Sequence, residues 1–267
     1  MIRIVFALLL IVSASPVAVV AQEDDEDASD NIAGGKHRLD LTYLDIETFD
    51  TNQISNVVLF GYTRTFNSDI RVGIRTGIAF IEDHPSPDSP STRTINEVGP
   101  SDTILSFQYD FSQRLTASPW VPNTLGLNAQ LNVPTGDEEE GLGLDTWLLS
   151  FGAGWGINLV KGLWLQPAIG YEFTFSEGDL AIPSSRAYAT VPLVWLFPSG
   201  FWIGYAPTLA REYEDGEWLH DRSLTVGKMF RNGLGLSLDY GDLDRAGPVP
   251  APDDAQLVLN LYYQFGL

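Results

Sequence analysis

The sequence predicts an all-β fold, a transmembrane antiparallel β-barrel of the outer-membrane type with about 12 strands. Three observations predict it. Apolar and polar residues alternate with period two in nearly every segment of about a dozen residues after residue 35, bounded by Gly, Pro, Asn, Asp and Ser, and no long helical period competes. Tight and long connections take turns between those segments. The chain opens with an export signal, and beyond it no apolar run approaches the roughly 18 residues a membrane helix needs, although hydrophobic residues make up 44% and aromatics 12%.

Residues 1–21 read as a cleavable signal peptide: Arg3 precedes the unbroken apolar stretch Ile4 to Val12, and Ala18-Val19-Val20-Ala21 offers small residues for cleavage after Ala21. Arg3 is the one charge in that segment, so its removal takes the formal net charge from −20 to −20 − 1 = −21. Nucleic acid is excluded as a partner on that charge. The absence of cysteine removes a disulfide scaffold and any thiolate metal site. Residues 22–35 are acidic and end in Gly34-Gly35, a flexible N-terminal segment.

Residues 36–267 form the barrel, with strands expected at 37–48, 54–65, 69–81, 102–112, 124–134, 145–159, 163–175, 186–197, 201–212, 218–230, 234–242 and 256–266. The short connections are Asn67-Ser68, Val160-Lys161-Gly162, Pro198-Ser199-Gly200 and Arg231-Asn232-Gly233. The interleaved ones, 82–101, 135–144, 176–185, 213–217 and 243–255, are longer and acidic or Pro-rich, and only 113–123 is long where a short one is expected. An outer-membrane barrel has short periplasmic turns and longer external loops. Both termini then lie in the periplasm. The fifth strand climbs to the outer rim, Pro134 stops its ladder, and Asp137-Glu138-Glu139-Glu140 spill into an external loop.

Each strand has one apolar face. In the last, Leu257, Leu259, Leu261, Tyr263, Phe265 and Leu267 share a side against Val258, Asn260, Tyr262, Gln264 and Gly266. The apolar face is expected to meet outer-membrane lipid; a soluble sandwich would bury it instead. Aromatics collect beside the short turns as an interfacial girdle: Phe66, Phe111, Trp120, Trp164, Phe197, Phe201, Phe230 and Phe265. The opposite face carries Arg38, Asp40, Arg71, Arg75, Asp110, Asn128, Gln130, Asn132, Gln166, Glu172, Asp239, Asn260 and Gln264, since Arg or Lys facing lipid at midplane would cost about 2–4 kcal/mol. Arg71 and Arg75, set against Asp110, Asp239 or Glu172, could make a constriction that selects solutes. The other reading is a closed lumen cross-linked by ion pairs, because about eight strands fill with side chains whereas 16 to 18 leave a channel.

Several segments resemble one known family: Val98-Gly99-Pro100-Ser101-Asp102, Gln108-Tyr109-Asp110-Phe111, Leu131-Asn132-Val133-Pro134-Thr135-Gly136-Asp137, Phe151-Gly152-Ala153-Gly154-Trp155 and Pro167-Ala168-Ile169-Gly170-Tyr171. They are similar to the outer-membrane transporter family associated with the meta-pathway of phenol degradation, and residues 98–175 carry most of the likeness. The resemblance implies a β-barrel and uptake of small hydrophobic or aromatic solutes; it supplies no catalytic residues. Outer-membrane barrels commonly end on an aromatic residue read by the assembly machinery, and here Phe265 is followed by Gly266-Leu267.

The expected function is passive uptake of a small aromatic or hydrophobic solute, the alternative a structural or surface-interaction barrel with a blocked lumen. A membrane-embedded hydrolase needs a nucleophile beside a base. His220 and Ser223 are three apart, which on a strand sends them to opposite faces, while His37 starts the first strand and His84 lies in an external loop, so no catalytic residues are expected. Asp137–Glu140 and Glu212–Glu217 lack the spacing of a calcium loop, and no cofactor or metal motif occurs.

Overall fold

The computed structural model describes residues 36–48, 53–66, 69–83, 94–111, 124–136, 147–174, 185–213, 216, 218–246 and 254–266. The expectations for residues 1–21 and 22–35, for His84, for Trp120 and for Asp137–Glu140 lie outside these residues. Fifteen strand segments form one antiparallel sheet: β1 (Lys36–Thr48), β2 (Gln53–Phe66), β3 (Ile70–Asp83), β4 (Thr94–Pro100), β5 (Thr103–Asp110), β6 (Thr124–Val133), β7 (Leu148–Val160), β8 (Leu163–Leu165), β9 (Ala168–Thr174), β10 (Ser185–Thr190), β11 (Leu193–Leu196), β12 (Phe201–Glu212), β13 (Trp218–Met229), β14 (Leu234–Ala246) and β15 (Asp254–Gly266). Three pairs, β4 with β5, β8 with β9 and β10 with β11, are collinear halves of one stave, so fifteen segments make twelve staves. Neighbours in sequence are neighbours in the sheet, and β1 pairs with β15 to close the ring.

Prolines interrupt the staves. Pro167 separates β8 from β9 and Pro192 separates β10 from β11, while Pro207 lies within β12. Each lacks the N–H its neighbour would use, yet each carbonyl is taken up: Trp155 N–H donates to Pro167 O (3.0 Å), Gln166 N–H to Pro192 O (2.8 Å) and Val191 N–H to Pro207 O (3.1 Å). The sheet is thus continuous in acceptors across a line of missing donors.

One expected boundary is wrong. Residues 94–100 were expected inside the connection 82–101, but they are strand β4, paired with the outer end of β3 across a register shift between Ile81 and Glu82. Glu97, Gly99 and Pro100 hide the strand, since Gly and Pro read as turn residues. The tight turns behave as expected where they are described. Gly162, Gly200 and Gly233 have φ of 81°, 77° and 84°, and their carbonyls accept from Leu196, Met229 and Gln264 of the adjoining hairpin.

The sheet has the polarity of a membrane barrel. Leu39, Leu41, Phe60, Val72, Ile74, Leu105, Phe107, Ile169, Trp195, Leu224, Leu238 and Leu259 lie exposed on one face, while Asp40, Thr42, Asn132, Ser150, Glu172, Thr225, Ser237 and Gln256 are buried on the other. On β12 the outward side chains run from Phe201 to Arg211, ten residue steps. At ~3.3 Å per residue and a tilt of 35–45° this stands about 23–27 Å tall, the height of an outer-membrane apolar band. Cations mark both edges by lying on aromatic rings, Arg64 over Phe66 (4.5 Å) and Lys228 over Phe230 (5.8 Å) at the short-turn end, Arg211 over Trp218 (5.5 Å) at the other.

Phe66, Phe201 and Phe230 are exposed at the short-turn rim as the girdle requires, and Trp195, Phe197 and Phe201 form a run of ring contacts at 5.3 and 5.6 Å. Trp164 does not belong to it. Its side chain is buried on the inner face in register with Val194, because it shares parity with Gln166.

Candidate functional site

The interior follows from strand parity. All thirteen residues expected on the polar face lie on it, none of them exposed: Arg38, Asp40, Arg71, Arg75, Asp110, Asn128, Gln130, Asn132, Gln166, Glu172, Asp239, Asn260 and Gln264. Inner rows of the ladder join several, Arg38 with Gln264, Arg71 with Gln108 and Asn128, and Arg75 with Ile104 and Asn132.

The charges pair in a way only partly foreseen. Arg71 donates to Asp110, which also accepts from Gln108 Nε2 at 3.0 Å. Arg38 lies 2.5 Å from Asp40 and stacks on the Tyr262 ring at 4.2 Å. Glu172 was expected to face Arg71 or Arg75, but its partner is Arg186 on the adjoining stave. Arg75 makes no ion pair with a described residue. Asp239 is held instead by Asn260 Nδ2 (3.0 Å) and Ser237 Oγ (3.4 Å).

Arg186 could have been placed from sequence: the outward run Val191, Leu193 and Trp195 fixes a parity that puts Thr190, Tyr188 and Arg186 on the other side. Aromatic rings laid against glycines had no such signal. Tyr188 covers Gly170, Trp202 covers Gly227 and Tyr262 covers Gly235, each across a strand pair, and a Cβ at those glycines would stand 2.3, 2.3 and 2.0 Å from the ring. Three large inward side chains therefore lie along the wall instead of crossing the lumen.

The interior has two kinds of wall. On β15, β1, β2 and β3, Val258, Leu44, Val57, Leu59 and Ala79 form an apolar cluster toward the long-connection end. Around the rest of the ring smaller apolar clusters, Tyr188 with Ala210 and Val194 with Trp202, alternate with inward polar atoms, of which Gln130 Nε2, Gln166 Nε2, Glu172 Oε1, Trp164 Nε1 and Trp202 Nε1 have no hydrogen-bond partner among the described residues. Buried polar groups of this number call for water or solute. No group of three potential metal ligands occurs among the described residues.

The motif segments at 98–102 and 131–137 meet. Asp102 accepts from Asn132 Nδ2 (3.0 Å), Thr135 N (3.2 Å) and Gly136 N (3.0 Å), while Thr135 Oγ1 donates to Ser101 O (3.0 Å). Pro134-Thr135-Gly136 is thus clamped onto the gap between β4 and β5.

No protein-family model matches the sequence, and no curated protein matches it. Solved structures do match in shape. The COG4313 outer membrane channel from Pseudomonas putida F1 is similar at 16% identity and a TM-score of 0.61, covering 91% of this chain and 100% of that one. The NanC porin is similar at 10% identity, 84% and 98% coverage and a TM-score of 0.56, and the KdgM porin at 8%, 85% and 99%, and 0.52. The fold is that of an outer-membrane barrel. At these identities the likeness is one of architecture, a closed antiparallel ring of twelve staves.

Proposed function

We propose that this chain lies in the bacterial outer membrane and lets a small aromatic or hydrophobic solute cross passively, without catalysis. The observation that carries the reading is the inverted polarity of the closed sheet, apolar outside and polar inside, with inward aromatic rings kept against the wall by glycines. Inward polar atoms without partners among the described residues add to it, since a dry, fully packed interior would leave them at a cost of about 1–3 kcal/mol each. A hydrolase finds no support in the His220 neighbourhood: His220 is exposed on the lipid side, while Ser223 faces inward in register with Ala206.

The finer reading places the chain with the transporter family of the meta-pathway of phenol degradation. Its support is the pair of motif segments that Asp102 clamps together. Export by a signal peptide ending at Ala21 belongs to the same proposal, as does recognition of the last strand by the barrel-assembly machinery. N-terminal sequencing of membrane-extracted protein should then begin at Gln22.

Arg71, Arg75 and the other inward polar residues are proposed to set which solutes pass. Reconstitution in a planar bilayer tests this: the barrel conducts, and neutralising Arg71 and Arg75 alters its ion selectivity. A barrel that folds but never conducts would overturn the channel reading in favour of a surface-interaction barrel with a blocked lumen.

A further inference from the structure

The closure seam ends in a charged rim. At the short-turn end of β13, β14, β15, β1 and β2, the outward face holds Lys228 over the Phe230 ring at one flank and Arg64 over the Phe66 ring at the other. Four strand spacings of about 4.8 Å separate them, roughly 19 Å. Between them a run of rings crosses the seam. Tyr263 stacks on Phe265 at 5.8 Å and Phe265 on His37 at 5.4 Å, while His37 tilts against Tyr62 at 5.9 Å and shares a hydrogen bond of 2.7 Å with its hydroxyl. Arg231, exposed in the tight turn between β13 and β14, adds a further positive charge, and the exposed Lys36 opens β1 with another. Arg64 is exposed and Lys228 half-buried, and neither makes an ion pair with a described residue.

No described acid shares the outward face at this end of the five staves; Asp69 lies in the turn before β3, beyond Phe66. In a chain of formal net charge −20 the rim is a local excess of positive charge. The opposite edge differs, since Arg222 and His220 stand there in register with Asp242 and Asp244.

We propose that this rim seats anionic phospholipid headgroups of the leaflet at the short-turn end, one phosphodiester on Arg64 and a second on Lys228 and Arg231. A cation lying on a ring is held at the depth of the interface, where headgroup phosphates lie, with its N–H groups open to an acceptor. The rings between the two flanks give the glycerol and first methylenes a flat bed across the seam. A zwitterionic headgroup offers the same phosphodiester, but its ammonium brings a like charge to a face with no described acid to receive it. An anionic headgroup brings no such charge. The proposal rests on the membrane location of the barrel and not on passage of a solute.

The purified full chain in neutral detergent micelles is titrated with dimyristoyl phosphatidylglycerol or dimyristoyl phosphatidylethanolamine, and bound lipids are counted by native mass spectrometry. The native chain holds two phosphatidylglycerols, each more tightly than phosphatidylethanolamine. Arg64→Gln weakens one of them about fivefold, and Lys228→Gln with Arg231→Gln weakens the other about thirtyfold, the worth of one and of two basic side chains against an anionic surface. Arg64→Lys keeps the charge and keeps the lipid. Arg211→Gln with Arg222→Gln, at the opposite edge, leaves both lipids in place. Heat-modifiable migration on gels confirms that each variant is folded. The site is overturned if phosphatidylethanolamine binds as tightly as phosphatidylglycerol, if the folded rim variants bind as the native chain does, or if the opposite-edge pair removes the lipid. Conductance in bilayers reads the channel independently, so a conducting barrel without this preference loses the lipid site alone.

Discussion

Replacing Arg186 with methionine should cost about 3–5 kcal/mol of barrel stability, the range for stranding one partner of a buried ion pair. The structure sets that magnitude. Arg186 and Glu172 are 4% and 1% exposed, so neither charge is relieved by bulk water, and Glu172 Oε1 already lacks a partner among the described residues. Glu212 stands in register with Arg186 on its other side, so the substitution leaves carboxylates on both flanks of an apolar side chain. Against a total stability of about 5–15 kcal/mol the loss is large. Urea titration of folding into phospholipid vesicles measures it, with tryptophan fluorescence and heat-modifiable migration as two readouts. Adding Glu172→Gln removes the stranded charge and should recover about 2 kcal/mol. A cost below about 1 kcal/mol for Arg186→Met, the range of solvent-exposed pairs, would refute the reasoning, because it would mean the interior at that level is as wet as bulk solvent.

Other outcomes follow from the wall and the rim. Gly235→Val pushes the Tyr262 ring off the sheet, since a Cβ there would stand 2.0 Å from Cζ; single-channel conductance should fall, overpacking should cost about 1–3 kcal/mol, and Tyr262→Ala in the same chain should restore the current. Asp102→Ala releases Asn132, Thr135 and Gly136 together and should lower stability by about 2 kcal/mol, read in the same urea titration. Leu259→Arg puts a cation against hydrocarbon and should cost about 2–4 kcal/mol, whereas Asn260→Arg, one residue on and facing inward, should escape that term.

The strands were legible because an apolar outer face and a polar interior leave a strict period of two, and most staves were located within a few residues on that signal alone. β4 was not legible: TINEVGP has little alternation, and its place is fixed by pairing with β3. Parity likewise brought thirteen interior residues to the right face without any knowledge of which would touch. Partners depend on neighbouring strands and their register, so the Glu172–Arg186 pair and the rings over Gly170, Gly227 and Gly235 could not be read along one strand. Trp164 was misplaced for a related reason: nearness to a turn fixes depth in the membrane, but only parity decides which side a ring faces.

β1 is zipped to β15 through twelve residue partners, from Lys36 with Gly266 to Glu47 with Ala255. β1 thus has no mate on that side until β15 is in place. Until β15 docks, the sheet carries raw backbone along two margins, open to any passing strand. Ring closure accordingly needs β15, and a copy lacking β14 and β15 would have an unsealed flank rather than a slightly smaller pore.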